Sequence, residues 1–174
     1  MSPRVKLALI GLACAAPFIL GTAAYLLDWA PGEAANYGEL IAPRPLAGPP
    51  FDALRGKWVL VSFDAPACDA YCEKKLYFMR QLRTAQHRNM GRVERLWLLT
   101  GAGKPRAELL AAIEGTRLAE LKDTAAAREF PGEVTDHIYV VDPNGNLMMR
   151  FPRDPDPSRI LKDLQRLLRL SQIG

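Results

Sequence analysis

Two cysteines, Cys68 and Cys72, stand in the stretch "FDAPACDAYCEKKLYFMRQL", residues 63–82, with three residues between them. A thiol pair at this spacing is compatible with a disulfide, a metal-binding pair or a redox couple, provided the Cα atoms can come within about 7 Å of each other. The apolar, β-branched and aromatic run before the pair reads as a strand, and the segment after it carries Leu76, Met79 and Leu82 at helical spacing. The cysteines therefore fall in a strand-to-helix turn. Positive charge at a helix N-terminus stabilises a thiolate there. Lys74 and Lys75 add to that potential, while Asp69 and Glu73 oppose it. Asp64 closes the strand and reads as a turn cap, and Tyr71, between the cysteines, as a residue that packs against the pair.

The elements around the turn follow from periodicity. "KWVLVSFDA" (57–65) and "RVERLWLLTG" (92–101) read as strands, and the segment from 70 to 87 as the helix between them. "KPRAELLAAIEG" (104–115) has proline near its start and glycine at its end, which is helix punctuation. "DHIYVVDPNGNLMMRF" (136–151) reads as a hairpin turning at Asp142–Gly145. "DPSRILKDLQRLLRL" (156–170) reads as an amphipathic final helix. The order β-α-β-α-β-β-α makes this an α/β domain. It predicts a parallel strand pair joined by a right-handed crossover, an antiparallel hairpin at the sheet edge, and helices on both faces.

The N-terminus has a different texture. Residues 1–6 are short and basic, and Leu7 to Leu27 is an uncharged run of 21 residues. That length spans a hydrocarbon core of about 30 Å as a helix. Positive charge before the run and Asp28 after it orient the start inside and the rest outside. Tyr25 and Trp29 fall at the outer interface. A cleaved signal peptide normally has a shorter apolar region. A lipoprotein reading of Cys14 lacks the usual leucine three residues before it, so Cys14 reads as a small residue of the anchor. The expected organisation is a cytoplasmic N-terminus (1–6), a transmembrane anchor (7–27), a Pro/Gly-rich tether without strand or helix period (28–50) and a folded domain (51–174). Two cysteines then remain in the exported domain, as fits a pair in an oxidising compartment. Beyond the anchor 21 basic residues face 19 acidic ones. With no aromatic-basic stripe, that balance argues against nucleic acid as a partner.

The element order, with cysteines after the first domain strand, resembles the thioredoxin fold over about residues 51–170. The C-x-x-x-C pair behind one membrane helix, together with "VVDPNG" (140–145), resembles the Sco/SenC family. That resemblance implies a single-pass protein of the bacterial inner membrane with its C-terminal domain in the periplasm. It implies an assembly factor that binds copper, or keeps copper-site thiols reduced, for cytochrome c oxidase. Its partner would be an oxidase subunit or another copper-site protein. The same resemblance implies a Cys-Cys-His copper site of Cys68, Cys72 and His137. Two thiolates with an imidazole are a soft ligand set suited to Cu(I). Two departures stand out. His137 lies six residues before Pro143, closer than the Sco histidine, whose ungapped position falls on Val134. Asp136 holds the place of the thioredoxin cis-proline. His87, at the end of the first domain helix, reads as a cation on the helix dipole. The alternatives are a TlpA/ResA-like thiol–disulfide oxidoreductase and a non-catalytic assembly factor with a structural disulfide.

Overall fold

The computed structural model describes residues 2–27, 36–121, 127–171 and 173. The expectations placed on Asp28, Trp29 and the first part of the tether lie outside the described residues. The chain divides into two compact units, Met1–Ala35 and Asn36–Gly174.

The first unit contains one helix, α1 (Pro3–Leu26). Pro3 sits at its first position, where the missing N–H costs nothing. Pro17 lies inside it, and Thr22 Oγ1 donates to Phe18 O at 2.7 Å. The helix is long and apolar enough to cross a membrane.

The second unit is a six-stranded sheet with order β1-β6-β5-β2-β3-β4. Its strands are β1 (Glu39–Pro45), β2 (Trp58–Asp64), β3 (Val93–Leu99), β4 (Arg117–Glu120), β5 (Tyr139–Val141) and β6 (Asn146–Arg150). Strands β2, β3 and β4 run parallel, while β5, β6 and β1 add antiparallel pairings. Every residue of β2 is buried, as a central strand covered on both faces requires. Its side chains alternate. Trp58 and Leu60 enter one core with Cys68 and Cys72, and Val59, Val61 and Phe63 enter the other. The helices are α2 (Ala70–Thr84), α3 (Ala107–Ala112) and α4 (Pro157–Leu170).

Three expectations are corrected. Among the described residues, α2, α3 and α4 do not divide between the two faces: all three bury their apolar side chains in the cysteine-side core. Among the described residues the opposite core is closed by loop residues such as Leu46, Phe51, Leu54 and Phe130. The physical reason is that β2, β3 and β4 are laid down in one direction across the sheet. Right-handed crossovers between them put α2 and α3 on one side. Nor is the hairpin an edge, because β5 pairs with β2 and β6 with β1. The edges of the sheet are β1 and β4, in segments for which the sequence predicts no strand.

Strand β1 arises within the stretch read as a tether. It carries Pro43 and Pro45, is exposed along most of its length, and has an irregular register between Leu40 and Arg44. Prolines of this kind are tolerated only where no ladder N–H is needed, at an edge. Glu39 holds the strand to β6 through an ion pair with Arg150, Oε2 to Nη2 2.7 Å. Just before β1, buried Asp163 of α4 accepts from the Tyr37 and Gly38 N–H groups, both at 2.8 Å. A charged acceptor serving two backbone donors is a strong tie. Asp163→Ala is therefore expected to lower unfolding stability by about 2 kcal/mol. Backbone amide exchange in residues 37–41 should rise more than in β2. Equal protection of those amides in variant and parent would refute the tie.

Candidate functional site

The turn after β2 is built by short-range bonds. The Cys68 N–H donates to Ala65 O at 3.0 Å. Cys68 itself takes a left-handed conformation, φ 46°, unusual for a residue with a Cβ. Asp69 then caps α2, its carboxylate accepting from the Cys72 N–H at 2.8 Å. Cys72 thus sits in the first turn of the helix and Cys68 one residue before its Asp69 cap. The two are joined as a disulfide with Cα atoms 5.3 Å apart, within the range a strain-free bridge allows. Both cysteines are buried, Cys68 5% exposed and Cys72 1%.

Behind the disulfide lies a buried ion pair. Lys75 Nζ is 2.9 Å from Asp64 Oδ2, with side chains 1% and 9% exposed. Ser62 Oγ donates to the same carboxylate oxygen at 2.7 Å. Lys75 also donates to Phe63 O at 3.4 Å and to Thr135 O. Burial dominates both titrations: it pushes the Asp64 carboxyl up, against the pull of Lys75, and pushes the Lys75 ammonium down, against the pull of Asp64. Lys75, expected to add positive potential at the helix N-terminus, is held instead in a buried pair with Asp64. Its position was a signal in itself. Cys72, Lys75, Leu76, Met79 and Leu82 are the buried residues of α2, and they follow helical spacing. A lysine on that stripe requires a buried partner. Asp64 is that partner rather than a turn cap alone, although its backbone O does accept from the Thr100 N–H at 3.0 Å.

Tyr71, between the two cysteines in sequence, ties α2 to two loops. Its hydroxyl donates to Asp136 O at 2.8 Å and accepts from the Asp154 N–H at 3.0 Å. With Lys75 bonded to Thr135 O, α2 grips the 134–136 loop just ahead of β5 from two adjacent side chains.

His137 follows that loop, yet the structure does not bring its imidazole to the cysteines. Ile138 and Val140 pack in the cysteine-side core, and Tyr139 in the opposite one. His137 shares the parity of Tyr139, against whose ring it lies edge-on at 5.8 Å between centroids. Its Nδ1 is 2.7 Å from Phe151 O. His87 is exposed and begins the 3-10 turn after α2, about 22 Å along the helix from the cysteine end. No group of three His, Cys, Asp or Glu side chains suited to a metal occurs among the described residues. The donor set the site does offer is the two cysteine sulfurs, and as a disulfide they are not thiolate ligands. Copper requires the pair reduced first.

A mixed sheet with a cysteine pair at the strand-to-helix turn defines a thioredoxin-like protein. The chain belongs to the family described as "Transmembrane-like, thioredoxin-like, C-terminal domain", which matches residues 58–171. Solved structures similar to it include apo Sco1 from Thermus thermophilus, at TM-score 0.55 and 20% identity, covering 78% of this chain and 99% of that one. Yeast Sco1 with copper bound has TM-score 0.56 and 14% identity, covering 80% and 96%. A putative thioredoxin from Neisseria meningitidis has TM-score 0.51 and 14% identity, covering 79% and 93%. At these identities the likeness establishes the shared fold. No curated protein matches the sequence.

Proposed function

We propose that the protein is a Sco-like, membrane-anchored thiol–disulfide factor whose Cys68–Cys72 couple keeps the thiols of a copper-site protein reduced for cytochrome c oxidase assembly. The observation that carries this reading is the disulfide in the turn entering α2. In the reduced protein the Cys68 thiolate attacks a disulfide of the partner. One S–S bond breaks, a mixed disulfide forms, and the first partner thiolate leaves. The Cys72 thiolate then attacks Cys68 Sγ, restores the 68–72 bond and expels the second partner thiolate. Two electrons pass to the partner, and two protons follow them. Helix α1 holds the domain at the bacterial inner membrane, on the periplasmic side, where such couples operate.

Copper binding by the couple itself is the second reading, favoured by the softness of two thiolates. Here His137 would complete a site only after leaving Phe151 O. The TlpA/ResA-like reading shares the chemistry and differs in the partner.

Full-length protein in detergent decides among these. Equilibration in glutathione buffers should give a two-electron couple that vanishes in Cys68→Ser and in Cys72→Ser. Cu(I) titration of the reduced protein, with His137→Ala alongside, reads the second. One-to-one binding weakened by His137→Ala would shift the assignment to a copper carrier. A pair that never exchanges with any dithiol would leave a structural disulfide and sink both.

A further inference from the structure

We infer that the end of the domain opposite the cysteine turn docks on the surface of an anionic phospholipid bilayer, with arginines at the lipid phosphates and exposed apolar side chains among the headgroups. The inference rests on the reading of α1 as a membrane anchor, and it is independent of what Cys68 and Cys72 exchange with.

Helix α2 runs from the cysteine turn to Thr84, a rise of about 20 Å. The 3-10 turn His87–Arg92 follows it. Between that turn and the last turns of α4 lies an open cavity of about 680 Å³, lined by His87, Arg88 and Arg92 from the first and by Gln165, Arg169 and Ser171 from the second. Segments 84–93 and 164–174 carry four arginines, Arg88, Arg92, Arg166 and Arg169, and no aspartate or glutamate. Among the described residues no carboxylate side chain lines the cavity. The cysteine end differs: there Glu73 pairs with Arg106 and Lys74 with Asp154.

Arg92 fixes this surface. Its Nη1 donates to Leu168 O at 2.8 Å, and its Nη2 to Ser171 O and Ile173 O, both at 2.9 Å. The chain beyond α4 is thereby held against the 3-10 turn. The same bonds cover carbonyls at the end of α4 that would otherwise repel an anion. Arg88 and Arg169 are exposed, and neither has an acceptor or an acidic partner among the described residues. Their chain neighbours Met90, Leu170 and Ile173 are 39%, 76% and 53% exposed. Large apolar side chains interleaved with cations are the composition of a surface that lies in a lipid interface. Each exposed arginine strengthens attachment to an anionic bilayer about fivefold. Its apolar stem lies among the headgroups while the guanidinium holds a phosphate. An acidic protein would also satisfy the arginines. The anchor favours the bilayer, because tethering holds the domain before lipid at a high effective concentration. Docked in this way, the domain carries its cysteine turn about 20 Å from the lipid, toward a partner arriving through water.

The test uses the full-length protein in lipid nanodiscs, one set of phosphatidylcholine alone and one with about one quarter phosphatidylglycerol. Retention in both sets reads the anchor separately from the docking. Backbone amide exchange in residues 88–91 and 169–171 should slow about fivefold in the anionic discs. Exchange in the cysteine turn should be the same in both sets. Arg88→Glu/Arg169→Glu, at two exposed positions, should abolish the difference. Lys104→Glu, exposed in the loop before α3, should leave it. Equal exchange in the two sets, or slowing that survives the double substitution, overturns the inference. So does equal slowing by soluble glycerol 3-phosphate in the neutral discs, which would make the cavity a site for a free phosphate. A preserved difference in protein whose cysteines never exchange supports docking and refutes only the thiol reading.

Discussion

Lys75→Met is expected to lower the unfolding free energy by about 3–5 kcal/mol at neutral pH, because it removes one partner of a buried pair and leaves the other. Lys75 Nζ lies 2.9 Å from Asp64 in a site that both side chains leave almost fully covered. Without it, Asp64 keeps one side-chain donor, Ser62 Oγ. Two backbone acceptors, Phe63 O and Thr135 O, also lose a donor. The variant carries a pH signature. Burial already raises the Asp64 carboxyl above its ordinary 3.8, and loss of the lysine removes the largest opposing influence. A group raised in the folded state gives its full stabilisation below the unfolded value and loses it as pH rises through the folded one. Lys75→Met should therefore be least impaired near pH 4 and most impaired at neutral pH. The double variant Asp64→Asn/Lys75→Met, which removes both charges, should recover most of the loss at pH 7. Urea melts of the three proteins at two pH values check this. A pH-independent loss, unrescued by Asp64→Asn, would mean that packing rather than charge carries the effect.

The position of this pair shows how much of the site was legible in the sequence. The cysteine turn was readable because it follows an apolar run and precedes a helical stripe, and both signals are local. The hairpin was readable for the same reason: Gly145, φ 84°, donates to Asp142 O at 2.9 Å, as "DPNG" leads one to expect. The burial of Lys75 is not visible in its charge but follows from the helical stripe on which it stands. His137 shows a different limit. Its chain neighbours do approach the cysteine helix, Thr135 through Lys75 and Asp136 through Tyr71. One further residue along an extended chain turns the side chain to the opposite face of the sheet. Proximity along the chain placed the loop and could not place the imidazole. The edge strands were hidden by composition. β1 is proline-rich because an edge permits it, and β4 spans only Arg117–Glu120. Their pairing partners lie far away in sequence, Arg150 for Glu39 and Leu96 for Arg117.

The core on the opposite face of the sheet makes the second large prediction. Phe130, 3% exposed, comes from a loop that the sequence reading passed over, yet three aromatic rings converge on it. Its centroid lies 4.7 Å from Phe63 and 5.0 Å from Tyr139, both edge-on, and 6.1 Å from Phe51. Tyr139 is tied to the same loop, its hydroxyl donating to Pro131 O at 2.8 Å, and burial raises that hydroxyl's pKa to about 12. Arg150 Nη1 donates to Pro131 O as well, at 2.9 Å. Phe130 thus stands at the centre of the ring cluster that closes this core together with Leu46, Phe51 and Leu54. Phe130→Ala should cost about 3–5 kcal/mol, since the cavity opens among rigid rings that cannot collapse into it. Phe130→Leu keeps most of the volume and should cost markedly less. The loss also has a direction. Strand β5 lies between this core and the loop gripped by α2. Amide exchange should therefore rise in residues 139–141 as well as beside the mutation, while the Cys68–Cys72 turn on the other face keeps its protection. If Phe130→Ala proves as stable as Phe130→Leu, the loop is a lid lying on the sheet, and this core is closed by Phe51, Leu54 and Leu46 without it.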